Sequence, residues 1–206
     1  MLKLFNDTVL KPKTLGNKPS QQTGASQVSS RVLVEGEAKH IKPIIIVPSA
    51  LTSVITSLNC IDFLGGHYIS SEEKRSSGAQ RVAEQEFKRP VPGHNPIQYR
   101  VLDNPLTLKD EDWENVAAVF ATGQAWQFKD WNNKKWSQPS ELFSHVLGLH
   151  VMMDDRVVSD TVKSWGVKVL KLNQTKRHLD LGAINDFWKA LDTFIKLRKP
   201  HLPYGV

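Results

Sequence analysis

The stretch Lys42-Pro43-Ile44-Ile45-Ile46-Val47-Pro48-Ser49-Ala50-Leu51 decides the fold. Four consecutive branched apolar residues bounded by prolines describe a strand covered on both faces, the centre of a parallel or mostly parallel sheet. Ser49 then stands where a helix cap belongs, and Leu51, Val54, Ile55 and Leu58 recur at helical spacing. A helix is therefore expected directly after the strand, with Cys60 at its end. A buried strand turning into a helix is where a phosphate-binding loop sits. The residues for that chemistry are missing. With Pro48 in place of the first glycine of G-x-x-x-x-G-K-[ST], Ser53 takes the second glycine's position. Val54 replaces the lysine, and Ile55 replaces the hydroxyl residue that would hold magnesium. Pro48 also has no N–H to offer a phosphate. Pro48, Ser53, Val54 and Ile55 thus outline a degenerate, non-binding phosphate loop.

Outward from this stretch, the chain alternates strands and helices. Residues 83–88 and 97–102 read as neighbouring strands near a sheet edge, because apolar and polar residues alternate. The proline-rich segment between them, Arg89-Pro90-Val91-Pro92-Gly93-His94-Asn95-Pro96, is expected to be loop. Ser70-Ser71-Glu72-Glu73-Lys74-Arg75 is a capped, charged turn or short helix. Val116-Ala117-Ala118-Val119-Phe120 is a second central strand. Pro139 suits the first turn of a helix carrying Leu142, Phe143, Val146, Leu147 and His150 on one face. A short helix ends near Trp165-Gly166, and residues 167–172 form a third strand. The last helix is the clearest: Ile184, Phe187, Trp188, Leu191, Phe194 and Ile195 make one apolar stripe. The expectation is an α/β domain of three layers, a mostly parallel sheet between helices. It occupies residues 41–198, after a flexible linker or tail at 1–40 and before a short tail at 199–206.

The chain has 206 residues and a formal net charge of +6, which favours acidic partners. Its one cysteine, Cys60, excludes an internal disulfide framework and a cysteine-built metal site, and reads as a packed small apolar residue. No apolar run is long enough to span a bilayer, and residues 1–15 alternate lysine with apolar positions without the continuous apolar core of a secretory signal.

Trp126, Trp131 and Trp136 cluster with Phe128, Lys129, Lys134 and Lys135 in one connection. Such a cluster makes an aromatic and cationic surface for a peptide or phosphorylated chain. Against that stands packing: Trp126 and Phe128 are expected to plug one end of the sheet, with Trp131 and Trp136 partly exposed. Lys176-Arg177-His178 follows the third strand at its carboxyl end, where open α/β sheets place ligands. It would either bind an anion or form a solvated basic turn ahead of Asp180. The seven histidines are scattered, no G-x-S-x-G elbow occurs, and no catalytic constellation emerges. Neither an enzyme, a metal nor a cofactor is expected.

Several of these motifs occur together in one known family. Residues 42–50, Tyr99-Arg100-Val101, residues 112–120, Trp126-Gln127-Phe128-Lys129, Trp165-Gly166-Val167 and Lys176-Arg177-His178-Leu179-Asp180 leading to Phe187-Trp188 resemble the carboxy-terminal domain of the parafibromin family, in the same order. The resemblance spans about residues 41 to 197. It is weak over residues 65–96, and residues 132–138 lack the proline-rich segment of other members.

The resemblance implies a Ras-like (P-loop-NTPase-like) fold without a working nucleotide site. It implies a non-enzymatic subunit of the nuclear PAF (polymerase-associated factor) complex, which travels with elongating RNA polymerase II and supports histone modification. Implied partners are other subunits of that complex, chromatin, and phosphorylated repeats of the polymerase and of an elongation factor. Residues 1–40 would be the end of a linker from a missing amino-terminal half, with Met1 a cut or shortened start. Trp126, Lys129, Trp131, Lys176, Arg177 and His178 are the candidate contacts for acidic or phosphorylated tails. The alternatives are a small GTPase-like enzyme with an atypical loop, and a module that binds nucleic acid directly.

Overall fold

A computed structural model describes residues 41–131, 136 and 138–205. The linker expected at 1–40 and the lysines at 134 and 135 lie outside the described residues. Six strands form one sheet in the order β2-β3-β1-β4-β5-β6. They are β1 (Ile44–Ile46), β2 (Glu84–Val91), β3 (His94–Leu102), β4 (Val116–Phe120), β5 (Leu147–Met153) and β6 (Lys168–Leu172). Only β2 runs antiparallel to its neighbour. Described helices are α1 (Cys60–Leu64), α2 (Ser71–Ser76), α3 (Pro139–His145), α4 (Asp160–Ser164) and α5 (Asp180–Arg198). This curled, mostly parallel sheet between helical layers is the Ras-like arrangement.

The isoleucine run works as its composition requires. Ile45 and Val47 face the layer that holds Phe63 of α1 and Phe187, Leu191 and Ile195 of α5. Ile44 and Ile46 face the other layer, built from Trp113, Leu142 and Phe143 of α3, and Trp165. Side chains alternate across a strand, so a strand with two covered faces must be apolar throughout. Val116–Phe120 of β4 is buried for the same reason.

Three local expectations are overturned. No helix follows β1. Residues 51–59 run as turns, and Cys60 opens α1 instead of ending a helix. Asn59 is fully buried and donates to the carbonyls of Val54 and Ile69, each at 2.8 Å, while its Oδ1 accepts from the Thr56 amide at 2.8 Å. Side-chain amides and hydroxyls that bond nearby backbone compete with a helix, and here they win. The helical spacing of Leu51, Val54, Ile55 and Leu58 survives only as burial of Ile55 and Leu58, with Leu51 exposed.

Residues 89–96 are not loop. Pro90 lies inside β2 and Pro96 inside β3, joined by a two-residue turn in which Gly93 adopts φ +75°. Both prolines escape the ladder penalty: the register skips Pro90 on an edge strand, and β1 pairs with β3 only from Arg100 onward. Lastly, α3 stops at His145, and Leu147–Met153 is a strand between β4 and β6. A run such as Val146, Leu147 and His150 fits helical spacing over one turn but pairs as a strand once neighbours exist.

The chain beyond α5 returns across that helix. Leu202 is buried and the Gly205 amide donates to Asp192 at 2.8 Å. Buried Lys199 donates to the Glu114 carbonyl at 2.9 Å, and burial lowers its pKa.

A cleft at the carboxyl ends of the strands

The carboxyl ends of β1, β4 and β5 open into a cleft of about 760 Å³. Its floor includes Phe120 and Met152, and its wall on the β1 side is the turn segment that replaces the expected helix, including Ser53, Val54 and Ile55. Open α/β sheets bind ligands in this position. Several N–H groups of this loop are already engaged within it. Ser53 N–H donates to the Ala50 carbonyl at 3.0 Å, Thr56 N–H to Asn59, and Leu58 N–H to Thr56 Oγ1 at 3.2 Å. A glycine loop would converge such groups on an anion; here they turn inward. Thr56 Oγ1 and Ser71 Oγ, 2.9 Å apart, tie this loop to the start of α2.

Across from it, β4 runs into a loop fixed by Gln127. Its Nε2 donates to the Phe120 carbonyl at 2.8 Å and its Oε1 accepts from the Thr122 amide at 2.7 Å. Gly123 takes φ +89°, and a Cβ there would stand 3.1 Å from Val162 and 3.3 Å from His150, so the glycine is required twice over. His150 Nδ1 lies 2.9 Å from the Ala121 carbonyl. A carbonyl only accepts, which makes Nδ1 the protonated nitrogen.

This anchored loop presents Trp126. The expectation that Trp126 plugs the sheet is wrong: it is 58% exposed and stands between the main cleft and a second hollow of about 280 Å³. Phe128 takes the packing role instead, 5.0 Å from Trp131, 5.6 Å from Phe143 and 5.5 Å from Trp165 by ring centres. Trp131 and Trp136 are half-buried against Trp113. One short turn thus sends alternate aromatics to opposite fates.

The remaining candidates are spread out. Lys129 is exposed beside Trp126 in sequence. Lys176, Arg177 and His178 are exposed after β6, on the turn that enters α5. Arg177 is engaged already: it pairs with buried Asp180 at 2.9 Å and lies 4.4 Å above the Tyr68 ring. Tyr68 is itself a wall of the main cleft, and burial raises its pKa, an effect that Arg177 opposes. Trp131 belongs to the aromatic layer with Trp113, on the face of the sheet opposite α5, so it does not join Arg177 in one surface.

Sequence reasoning missed Arg75, Arg156, Leu51 and Val157, all of which line the cleft. Leu51 and Val157 are large apolar side chains left exposed. Arg75 and Arg156 make no salt bridge with a described residue, and Glu72 is the acidic residue lining the cleft. Nothing in the sequence signals this, since the spacing there places Leu51 on the apolar face of a helix. Among the described residues no group of three or more His, Cys, Asp or Glu is placed to hold a metal ion. Cys60 is buried and burial pushes its thiol up to about 12, far from a reactive thiolate.

A Ras-like domain with an apolar, arginine-edged cleft in place of a glycine loop is the class that fold and site define. The chain belongs to the Cdc73 family: the family model described as "RNA pol II accessory factor, Cdc73 family, C-terminal" matches residues 39–194. Cell division cycle protein 73 of Caenorhabditis elegans is 32% identical over 187 residues, covering 89% of this chain and 35% of that protein. The CDC73 homolog of Arabidopsis thaliana is 34% identical over 168 residues, covering 76% and 39%. Among solved structures, the conserved domain of yeast Cdc73 superposes with a TM-score of 0.67 at 30% identity, covering 77% of this chain and 99% of that one. The chain thus spans little more than a third of the length of these curated relatives.

Proposed function

We propose that this chain is a non-enzymatic recruitment domain of the nuclear PAF complex. It helps hold that complex on elongating RNA polymerase II and chromatin by gripping phosphorylated or acidic tails. The family's place among RNA polymerase II accessory factors supports the setting. The observation that carries the binding mode is Trp126, exposed at the edge of a cleft that Arg75 and Arg156 also line. An exposed indole sharing a cleft with guanidinium groups that make no salt bridge with a described residue suits a peptide with an apolar side chain next to a phosphate or carboxylate. Lys129, and at the far end of the strand tips Lys176, extend the positive surface to further residues of a repeat, with His178 beside Lys176 as a hydrogen-bonding group. Each exposed contact is modest, so repeated motifs on the partner supply affinity through avidity.

The test is a fluorescence titration of the chain with phosphorylated and unmodified polymerase-repeat peptides at two ionic strengths. The phosphorylated peptide binds more tightly, and the difference shrinks as salt screens it. Equal affinity for the two peptides rejects the phosphate role. Binding to arbitrary single-stranded or duplex nucleic acid with a steep salt slope would favour the nucleic-acid reading instead.

A further inference from the structure

The sheet carries a second groove at its other end. Leu147 and Lys168, the first residues of β5 and β6, line it together with Phe143 of α3 and the outer face of α5. It encloses about 750 Å³, as large as the cleft around Trp126. Its α5 wall is Ala190, Phe194 and Leu197, spaced at i, i+4 and i+7. Phe194, expected in the core stripe, belongs with Ala190 and Leu197 instead: the buried stripe is Ile184, Phe187, Trp188, Leu191 and Ile195, and Phe194 is only half-buried. The helix therefore has two apolar faces, of which the core covers one. Leu197 is 71% exposed. The charged residues lining the groove are Lys168, Lys189 and Arg198 against Asp186. Arg198 donates to the Ser144 carbonyl at 2.9 Å, which ties the end of α5 to α3 and keeps the groove formed without an occupant.

We propose that this groove docks an acidic amphipathic helix of a partner protein. From Asp186 to Arg198 the α5 wall runs about 18 Å at helical rise, the length over which a helix presents anchors at i, i+3 or i+4, and i+7. The apolar face of the guest lies on Ala190, Phe194 and Leu197, and its acids meet Lys168 and Lys189. The positive lining selects acidic guests over basic ones. A phosphate track is a poorer description, because cations flank an apolar stripe here instead of forming a row. A bilayer surface is poorer too, because the apolar side chains line a concavity. The site is separate from the Trp126 cleft and does not depend on how that cleft is used.

The probe is a fluorescein-labelled synthetic helix with leucines on one face and glutamates on the other, titrated into the full chain by anisotropy. A matched peptide carries lysines for the glutamates. Leu197→Asp and Lys189→Glu each weaken the glutamate peptide about tenfold, as setting a carboxylate against the guest's apolar face or reversing a facing charge does. Lys109→Ala, an exposed position in neither cleft, leaves it unchanged. Both groove side chains are exposed, and thermal melting verifies folding; should Leu197→Asp unfold, Lys189→Glu decides alone. Undiminished binding by Lys189→Glu, or equal binding of the lysine peptide, overturns the proposal. So does a chain that ignores the glutamate peptide but sediments with phosphatidylserine vesicles.

Discussion

Arg89 on β2 holds Asp192 on α5 through two parallel hydrogen bonds of 2.7 and 2.8 Å, while its guanidinium carbon lies 4.2 Å above the Trp188 ring. The pair joins an edge strand to a helix more than a hundred residues later. Asp192 Oδ1 also accepts the Gly205 amide, so one carboxylate fixes the sheet edge and the returning end of the chain. A Cβ on Gly205 would stand 3.0 Å from the guanidinium, so a side chain there would have to displace it from Asp192 by a few tenths of an ångström.

Both partners are mostly shielded, with side chains 18% and 15% exposed. Asp192→Ala strands a shielded cation and costs about 2–3 kcal/mol in urea unfolding, less than a fully buried pair would. Amide exchange near Gly205 quickens in the same variant. An unchanged unfolding midpoint would show the pair to be ornamental.

Tyr99 gives a prediction of opposite sign. Its buried hydroxyl lies beside Arg89, but the terminal nitrogens of Arg89 are aimed at Asp192 and no well-aligned hydrogen bond to the hydroxyl forms. Tyr99→Phe removes an unsatisfied group while keeping the ring, and at pH 7 is neutral or stabilising by up to about 1 kcal/mol.

The same residue sets an alkaline limit. Burial pushes Tyr99 from 10.0 up to about 12 and Cys60 from 9.0 up to about 12. The unfolded chain therefore releases these protons first. The stability they contribute is complete below pH 9 and is lost as pH rises toward about 12. Denaturant unfolding followed across that range shows a falling stability whose slope is shallower in Tyr99→Phe and in Cys60→Ala. Identical slopes in wild type and both variants contradict the burial of these groups.

Glycines separate packing from propensity. A Cβ at Gly148 in β5 would meet Phe143 and Val167 at 2.5 Å each, so Gly148→Ala overpacks the core at a cost of about 1–3 kcal/mol. Nothing lies within 4 Å of a Cβ at Gly182 in α5, and Gly182→Ala stabilises by about 0.5–1 kcal/mol. Thermal melts of the two variants should move in opposite directions.

Asn59 supports the cleft from beneath. Its removal leaves the carbonyls of Val54 and Ile69 and the Thr56 amide unpaired in a buried site. Asn59→Ala costs about 3 kcal/mol and loosens residues 51–59, read as faster amide exchange there than in β4. Uniform protection in both segments would argue against this network holding the cleft wall.

These contacts mark what was readable in the chain beforehand. Ile44, Ile45 and Ile46 had to be a doubly covered strand, and the α5 stripe had to face a core, because burial leaves a periodic trace. The turn at residues 51–59, the strand through Pro90, and β5 left no such trace. Each depends on partners distant in sequence: Asn59 on Ile69, Pro90 on lying at an edge, and Leu147–Met153 on pairing with β4 and β6. The site divides in the same way. Trp126 was a visible candidate by type, but its exposure against the burial of Phe128 follows from how Gln127 anchors the loop. Arg75 lies on α2, and Arg156 and Val157 on the connection from β5 to α4; only the fold brings the two segments to one cleft.

Thermal melting of the chain with saturating magnesium and GTP or ATP, set beside melting with a phosphorylated repeat peptide, tests the central claim most directly. Any ligand of the folded state must raise the melting temperature. The account predicts flat curves with either nucleotide, and an upward shift with the phosphopeptide that disappears in Trp126→Ala. A nucleotide-dependent rise, or a phosphopeptide shift that survives loss of Trp126, would contradict it.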